Sequence, residues 1–157
     1  MASRLSALLV ALGVALAGFA ALAATERNTL RADAAQSELV AGEDVPAGVI
    51  AAVWTNGLCY AAADTNALAG ARVVGVVAHP AAAGGVLLAQ RGRFLLDNAG
   101  AALKARDVGS TVYVAGPASV TTQAAASQDI AAGVLSGMAF GTDGTNNAVW
   151  VNIGWQQ

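Results

Sequence analysis

Apolar and polar residues alternate over short stretches in most of the chain after residue 36, and glycine, proline and asparagine interrupt the alternation. A period of two is typical of β-strands, and the interruptions are typical of turns. The pattern predicts strands at residues 37–40, 48–54, 58–61, 72–78, 85–90, 93–96, 111–115, 119–122, 130–136 and 148–153. Their regular spacing predicts a mainly β fold over residues 37–157, a small antiparallel β-barrel or sandwich.

Turn signals separate these strands. Residues 55–57 form a predicted tight hairpin turn, residues 97–100 a second turn, and residues 142–147 a longer one. Gly116-Pro117 predicts a further reversal, because proline cannot donate to a central hydrogen-bond ladder.

The clearest strand is residues 148–153, where Val149, Val151 and Ile153 share one face and Trp150 lies on the other. Tyr113 is placed in the same way, opposite the aliphatic face of its own strand. Trp150 and Tyr113 are therefore candidates for a subunit or partner contact, since both residue types are enriched at the centres of interfaces. A second packed layer or a half-exposed sheet face is the equally weighted alternative.

A different pattern occupies the start of the chain, where residues 5–24 contain no charged residue. A helix of this length would be roughly 30 Å long. Residues 1–24 are therefore predicted to form an apolar N-terminal α-helix that is hydrophobic nearly all round. Large apolar residues recur with the alternating spacing of four and three typical of a coiled-coil seam, at Leu5, Leu9, Leu12, Leu16 and Phe19.

Three functions are open to this helix: an oligomerisation or docking arm, a membrane anchor, and an export signal. Arg4 before the apolar run and the small residues Ala21 and Ala23 around Leu22 fit a signal peptide or anchor at residues 4–24. Gly13, Ala17 and Gly18 would allow close helix packing in lipid as well as in water.

Charged residues make up 11% of the 157 residues, and the net charge is −2. This is less than half of the usual quarter. A surface so poor in charge suggests that neighbouring copies or another protein cover much of it. The eight basic residues form no stripe along the sequence, so a nucleic-acid partner is not expected.

Catalytic and metal-binding signals are weak, because the chain has one histidine, one cysteine and one lysine. Cys59 lies in an apolar, strand-like run and is predicted to be a buried structural thiol. His79 precedes Pro80 at a predicted strand end and is interpreted as a turn or rim residue. Residues 143–147 lack the spaced carboxylates of a calcium loop. We therefore predict no catalytic residue, no metal and no cofactor.

Several short motifs occur in the order found in the capsid cement, or decoration, proteins of tailed bacteriophages, which the sequence resembles from about residue 24 to residue 153. The first is the polar signature at residues 25–29 with Arg31 and Asp33. The later ones lie at residues 47–50, 56–57, 60–61, 74–77, 91–94, 107–114, 132–134 and 149–153.

The resemblance implies a small β-barrel-like domain on the outer surface of an icosahedral head. Such proteins commonly bind the major capsid protein as homotrimers at three-fold and quasi-three-fold sites, where they stabilise the shell and catalyse nothing. Relatives typically begin near the polar signature, so the resemblance does not account for the apolar helix. The alternative function is that of an exported or membrane-anchored bacterial β-domain. The membrane is therefore kept as a second, less favoured partner.

Residues 25–36 are predicted to form an extended polar arm, on the strength of the resemblance. Such an arm could add to the edge of a neighbouring sheet or lie along the capsid. The candidate interface residues in it are Glu26, Arg27, Asn28, Thr29 and Arg31. Arg27 or Arg31 would pair with carboxylates of the partner, whereas a solvated linker is the simpler interpretation.

Replacing both Leu12 and Leu16 by Asp tests the seam. We expect the double variant to lose oligomers and particle binding, because a carboxylate is costly to bury in an apolar contact. Light scattering and co-sedimentation with capsids measure the two effects. Unchanged oligomeric state and unchanged particle binding would show that the seam has no structural role.

Overall fold

The computed structural model of this chain describes residues 36–140 and 147–154. The predicted helix at residues 1–24, nearly all of the predicted arm and the predicted turn at 142–147, apart from Asn147, lie outside the described residues. The described part is mainly β, as predicted.

All ten predicted strands are present, with bounds that differ by a few residues at most. The strands are β1 Gln36–Val40, β2 Ile50–Val53, β3 Cys59–Ala61, β4 Arg72–His79, β5 Val86–Gln90, β6 Gly92–Asn98, β7 Thr111–Gly116, β8 Ser119–Thr121, β9 Ala131–Ala139 and β10 Ala148–Ile153. Single-turn 3-10 helices lie at Asn66–Leu68, Ala99–Ala101, Ala105–Asp107 and Gln123–Ala125. The predicted turn at residues 97–100 begins later, because Asp97 and Asn98 still belong to β6.

Five of the strands form a closed barrel in the order β10-β6-β8-β7-β9. A closed ring of five strands cannot alternate in direction all the way round, because full alternation needs an even number. The odd pair is β6 and β8, which run parallel with Asp97 opposite Ser119. The other four pairs are antiparallel. The prediction of an antiparallel barrel is therefore wrong for this one pair, which closure makes unavoidable.

The remaining strands form an antiparallel sheet in the order β1-β5-β4-β2-β3. Its two outer strands approach each other at one end, where Ala41 bridges Cys59 and the Gly42 amide donates to the Cys59 carbonyl at 2.8 Å. Only Arg91 separates β5 in this sheet from β6 in the barrel. The fold therefore combines a closed barrel with a curled sheet, where the sequence predicted one barrel or sandwich.

Strands β2 and β4 contribute to two separate hydrophobic clusters. In β2, Ile50 and Ala52 pack into the cluster that fills the barrel, whereas Ala51 packs into the cluster of the curled sheet. In β4, Val76 belongs to the barrel cluster and Val77 to the other. Both sides of these strands are buried, so β2 and β4 form a wall that the two clusters share.

A register shift keeps the alternation of β4 consistent with this wall. Ala51 pairs with Gly75 and Ala52 with Val73, so Val74 is an extra residue in β4. A bulge of this kind changes which side the following residues face. Val73 and Val76, three positions apart, can therefore both pack against the barrel cluster.

Two glycines allow strands to approach closely. A Cβ atom at Gly75 would lie 2.5 Å from the carbonyl oxygen of Gln90 in β5. A Cβ atom at Gly133 in β9 would overlap the carbonyl oxygen of Asn152 in β10. In both cases the obstacle is backbone, which cannot move away without disturbing the sheet.

Gly133→Ala is expected to lower the free energy of unfolding by about 1 to 3 kcal/mol, the usual cost of overpacking. Gly137→Ala on the same strand is the matched control. Its Cβ would meet the exposed end of the Arg93 side chain at 3.3 Å, which can swing away, so its effect should stay within about 0.5 kcal/mol. Urea unfolding of both variants measures the difference, and equal losses would contradict the close-approach argument.

Candidate interaction surface

Trp150 lies on the outer side of the closed barrel. Its neighbours Val149 and Val151 point inward and are fully buried, as the alternation of β10 predicts, while Trp150 itself is half-buried. It pairs with Leu95 of β6 on one side and with Gly137 of β9 on the other. The tryptophan therefore occupies the middle of a three-stranded outer face.

An arginine covers part of this tryptophan. The guanidinium carbon of Arg93 lies 5.0 Å from the centroid of the Trp150 ring, within the range of a cation–π contact. Gly137 has no side chain and so leaves room for the pair. A Cβ atom at this position would lie 3.3 Å from Nη2 of Arg93 and 3.8 Å from Cδ1 of Trp150. At an exposed site the contact stabilises by about 0.5 to 1 kcal/mol.

The residues around this pair define what we call the Trp150 face. They are the outward-facing positions of β6, β9 and β10 at Arg93, Leu95, Val134, Gly137, Trp150 and Asn152. Apart from Arg93, which is exposed, these residues are partly buried within the single chain. The face combines an aromatic ring, aliphatic side chains and one cation, a composition typical of the centre of a protein interface.

Tyr113 also faces outward, from β7, between the buried residues Val112 and Val114. The structure does not bring it next to Trp150. Thr111 pairs with Val134 and Val134 with Asn152, and Tyr113 and Trp150 lie on opposite sides of that row. Strand geometry puts them roughly 15 Å apart. The other candidates, in the polar arm and the helix seam, lie outside the described residues.

Arg93 was not predicted as part of a surface. It lies in the motif at residues 91–94 and begins the predicted strand 93–96, and β6 itself begins one residue earlier, at Gly92. Alternation in that strand could have placed Arg93 on the outward side, as it placed Trp150. Their contact depends on the pairing of two strands more than fifty residues apart in sequence, a register that no local signal specifies.

Four carboxylates accept hydrogen bonds from backbone amides. Glu43 accepts a hydrogen bond from the Ala61 amide at 3.0 Å, Asp44 from Ala83 at 2.9 Å and Asp107 from Lys104 at 2.8 Å. Asp64 is the fourth and is described below. These bonds satisfy backbone donors of turns and, at Ala61, of the outer strand β3.

Asp64 anchors the segment that connects β8 to β9. Its two carboxylate oxygens accept the amides of Ser127 and Gln128 at 2.6 and 2.7 Å, and the Gln128 side chain donates to Asn66 at 2.7 Å. β8 and β9 both run antiparallel to β7, so this connection must return along the barrel. Asp64 therefore supplies hydrogen-bond acceptors to a segment whose amides have few partners in the backbone.

Asn98 has a similar role inside the barrel end. Asn98 is 5% exposed. Its side-chain NH2 group donates to the Leu103 carbonyl at 3.0 Å, and its side-chain oxygen accepts the Leu103 backbone amide at 3.0 Å. These two reciprocal bonds satisfy polar groups that are buried. A buried group left without a hydrogen bond would destabilise the fold by about 1 to 3 kcal/mol.

Cys59 is buried in the cluster of the curled sheet, as predicted. Burial, which disfavours the thiolate, raises its pKa from an ordinary 9.0 to about 11, and the negative charge of Glu43 adds a smaller contribution. His79, interpreted as a turn or rim residue, is the exposed last residue of β4.

Within residues 36–140 and 147–154, no three histidine, cysteine or acidic side chains are grouped closely enough to hold a metal ion. The helices in this part of the chain are all too short or too polar to cross a bilayer.

Comparison of the sequence with protein-family models gives no match, and comparison with curated proteins gives none.

The thiol of Cys59 should react slowly in the folded chain, because the thiolate is the nucleophile and a pKa of about 11 leaves about a hundredth of its ordinary population near pH 8. Iodoacetamide labelling with and without urea measures this. Equal labelling rates with and without urea would contradict the burial argument.

The same raised pKa makes the stability of the folded chain depend on pH. The contribution of the neutral Cys59 thiol to the free energy of unfolding is complete below pH 9 and is lost as the pH rises towards 11. The Cys59→Ala variant should lack this part of the decline in the free energy of unfolding.

Proposed function

We propose that this chain is a structural protein of a bacteriophage virion that binds the outside of an icosahedral head and stabilises it. It acts as a homotrimer bound to the major capsid protein at three-fold and quasi-three-fold sites. The observation that carries the proposal is the ordered set of motifs between about residues 24 and 153 that resembles capsid cement proteins.

The low charge content supports this proposal. With 11% of residues charged, the chain has a surface suited to repeated contacts with neighbours. A protein present in many symmetric copies gains avidity from contacts that are individually weak. A large charged surface is therefore unnecessary for firm attachment.

The Trp150 face offers a contact surface for such neighbours. Tryptophan and arginine are the residue types that most often dominate binding energy at interfaces. Here Arg93 and Trp150 lie against each other on the outer side of the barrel. Covering the face would remove the partly exposed ring and Leu95 from water, which favours association.

The roles of the carboxylates support a structural function over an enzymatic one. Glu43, Asp44, Asp64 and Asp107 accept hydrogen bonds from backbone amides. A general acid or base must reach a substrate proton directly or through one water. Carboxylates that bond backbone amides in this way are better explained by the need to keep a small β-domain rigid.

The N-terminal segments complete the proposal. Residues 1–24 would form an oligomerisation or docking helix, and residues 25–36 an arm whose Arg27 or Arg31 pairs with carboxylates of the capsid. The export or anchor alternative is favoured by one observation, the charge-free run after Arg4 that ends in Ala21, Leu22 and Ala23.

Isolation of the native particle separates these functions. The proposal expects the chain to co-purify with heads, to be released as a trimer, and to raise the temperature at which heads disrupt when it is added back. Recovery from membranes instead of capsids would overturn it. The intact mass of the particle-bound chain tests the helix separately, because a mass lacking residues 1–23 would exclude a retained helix.

Trp150→Ala tests the surface. We expect binding to heads to weaken by roughly thirtyfold, since truncating a central tryptophan commonly costs about 2 kcal/mol. Val86→Ala is the matched control, because Val86 is 66% exposed but belongs to the curled sheet. Binding is measured by co-sedimentation after thermal unfolding has shown both variants to be folded, and equal affinities for the two variants would remove the Trp150 face from the proposal.

A further inference from the structure

A pocket of about 600 Å³ lies beside the β2–β3 hairpin and the 3-10 helix Asn66–Leu68. Its apolar lining includes Trp54, Tyr60 and Leu68, and Glu43, Thr65 and Asn66 supply polar groups. The volume is within the range of pockets that bind small molecules or single side chains. None of these residues belongs to the Trp150 face or to the motifs used to propose a function, apart from Tyr60.

Two aromatic rings line the pocket at right angles. The ring centroids of Trp54 and Tyr60 are 6.4 Å apart, and the ring planes meet at 86°. The face of an aromatic ring carries partial negative charge, which attracts cations. In such an edge-to-face pair the second ring fixes the orientation of the first, and a ring face that is open to the pocket can contact a cationic group.

Both rings are held in place by hydrogen bonds. The indole N–H of Trp54 donates to the Ala69 carbonyl at 3.1 Å, and the Tyr60 hydroxyl accepts from the Asn56 amide at 2.8 Å. The Tyr60 ring also lies against Gly42, at a place where any side chain at residue 42 would overlap it. The walls are therefore ordered before a ligand arrives, which lowers the entropic cost of binding.

Glu43 brings a full negative charge to the same pocket. Its Oε1 atom accepts the Ala61 amide at 3.0 Å, which positions the carboxylate and leaves Oε2 able to accept another donor. Among residues 36–140 and 147–154, no lysine, arginine or histidine lines the pocket, and no basic side chain forms an ion pair with Glu43. The pocket thus joins two ordered aromatic rings to one carboxylate that has no described counter-ion.

We propose that this pocket binds an alkylammonium or guanidinium group. The charge is complementary to Glu43, the rings attract a cation, and the apolar lining suits the methylene stem that carries the group. A lysine or arginine side chain of a partner protein and a free organic amine share this chemistry. The proposal rests on the pocket alone and stands independently of the proposed function.

The test is a titration of the ¹⁵N-labelled full chain with n-butylammonium, followed by NMR. The Trp54 indole N–H and the Ala61 amide report on the two walls, because one belongs to an aromatic ring and the other donates to Glu43. We expect saturable shifts at both groups. n-Pentanol and methyl glucoside, which carry no charge, should bind more weakly.

Glu43→Gln removes the charge but keeps an oxygen that can accept the Ala61 amide. It should raise the Kd for n-butylammonium roughly threefold to fivefold, the effect expected for one exposed ion pair. Glu38→Gln is the matched control, because Glu38 is an exposed glutamate of β1 outside the pocket, and it should leave the Kd unchanged. High salt should weaken the binding of n-butylammonium more than that of n-pentanol.

Any of three results would overturn the proposal: no saturable shift at Trp54 and Ala61, neutral probes that bind as tightly as n-butylammonium, or a Kd unaffected by Glu43→Gln. Backbone-blocked lysine distinguishes the two sources of the cation. Binding at least as tight as that of n-butylammonium, lost when the lysine amine is acetylated, supports a protein side chain as occupant. Exclusion of the blocked lysine while n-butylammonium binds supports a free amine.

Discussion

The wall formed by β2 and β4 constrains the whole structure, because both of its sides face hydrophobic clusters. Ile50 packs into the barrel and Ala51, next to it, into the curled sheet, and each is fully buried. If either strand shifted by one residue, the side chains that now pack into one cluster would face the other. The bulge at Val74 is part of the same constraint, since it restores the alternation where the pairing of β4 with β2 changes. Two small clusters can be stable in one chain because they share these strands.

Closure of a five-stranded barrel imposes the second constraint. One parallel pair is unavoidable, and β6 and β8 form it. The chain must then return along the barrel between β8 and β9, over residues whose amides lack strand partners. Asp64 supplies acceptors to Ser127 and Gln128. A charge that could be taken for a catalytic group is thus explained by topology, because an unsatisfied buried or half-buried amide is costly.

The described part of the chain presents two different arrangements of aromatic and charged groups. On the Trp150 face a cation, Arg93, already lies against the ring. In the pocket at Trp54 and Tyr60 the rings are accompanied by the carboxylate of Glu43. The two arrangements therefore differ in charge, since the first combines its ring with a cation and the second combines its rings with an anion.

The positions of all ten strands follow from the sequence, because alternation and turn residues act over a few neighbouring positions. The inward and outward sides of β10 and the burial of Cys59 were predicted for the same reason. Which strands pair was decided only by tertiary structure. The parallel pair, the shared wall, the contact of Arg93 with Trp150 and the separation of Tyr113 from Trp150 all join residues distant in sequence. Local patterns determine which side of a strand is buried, whereas the neighbour on that side depends on closing long loops around a common core.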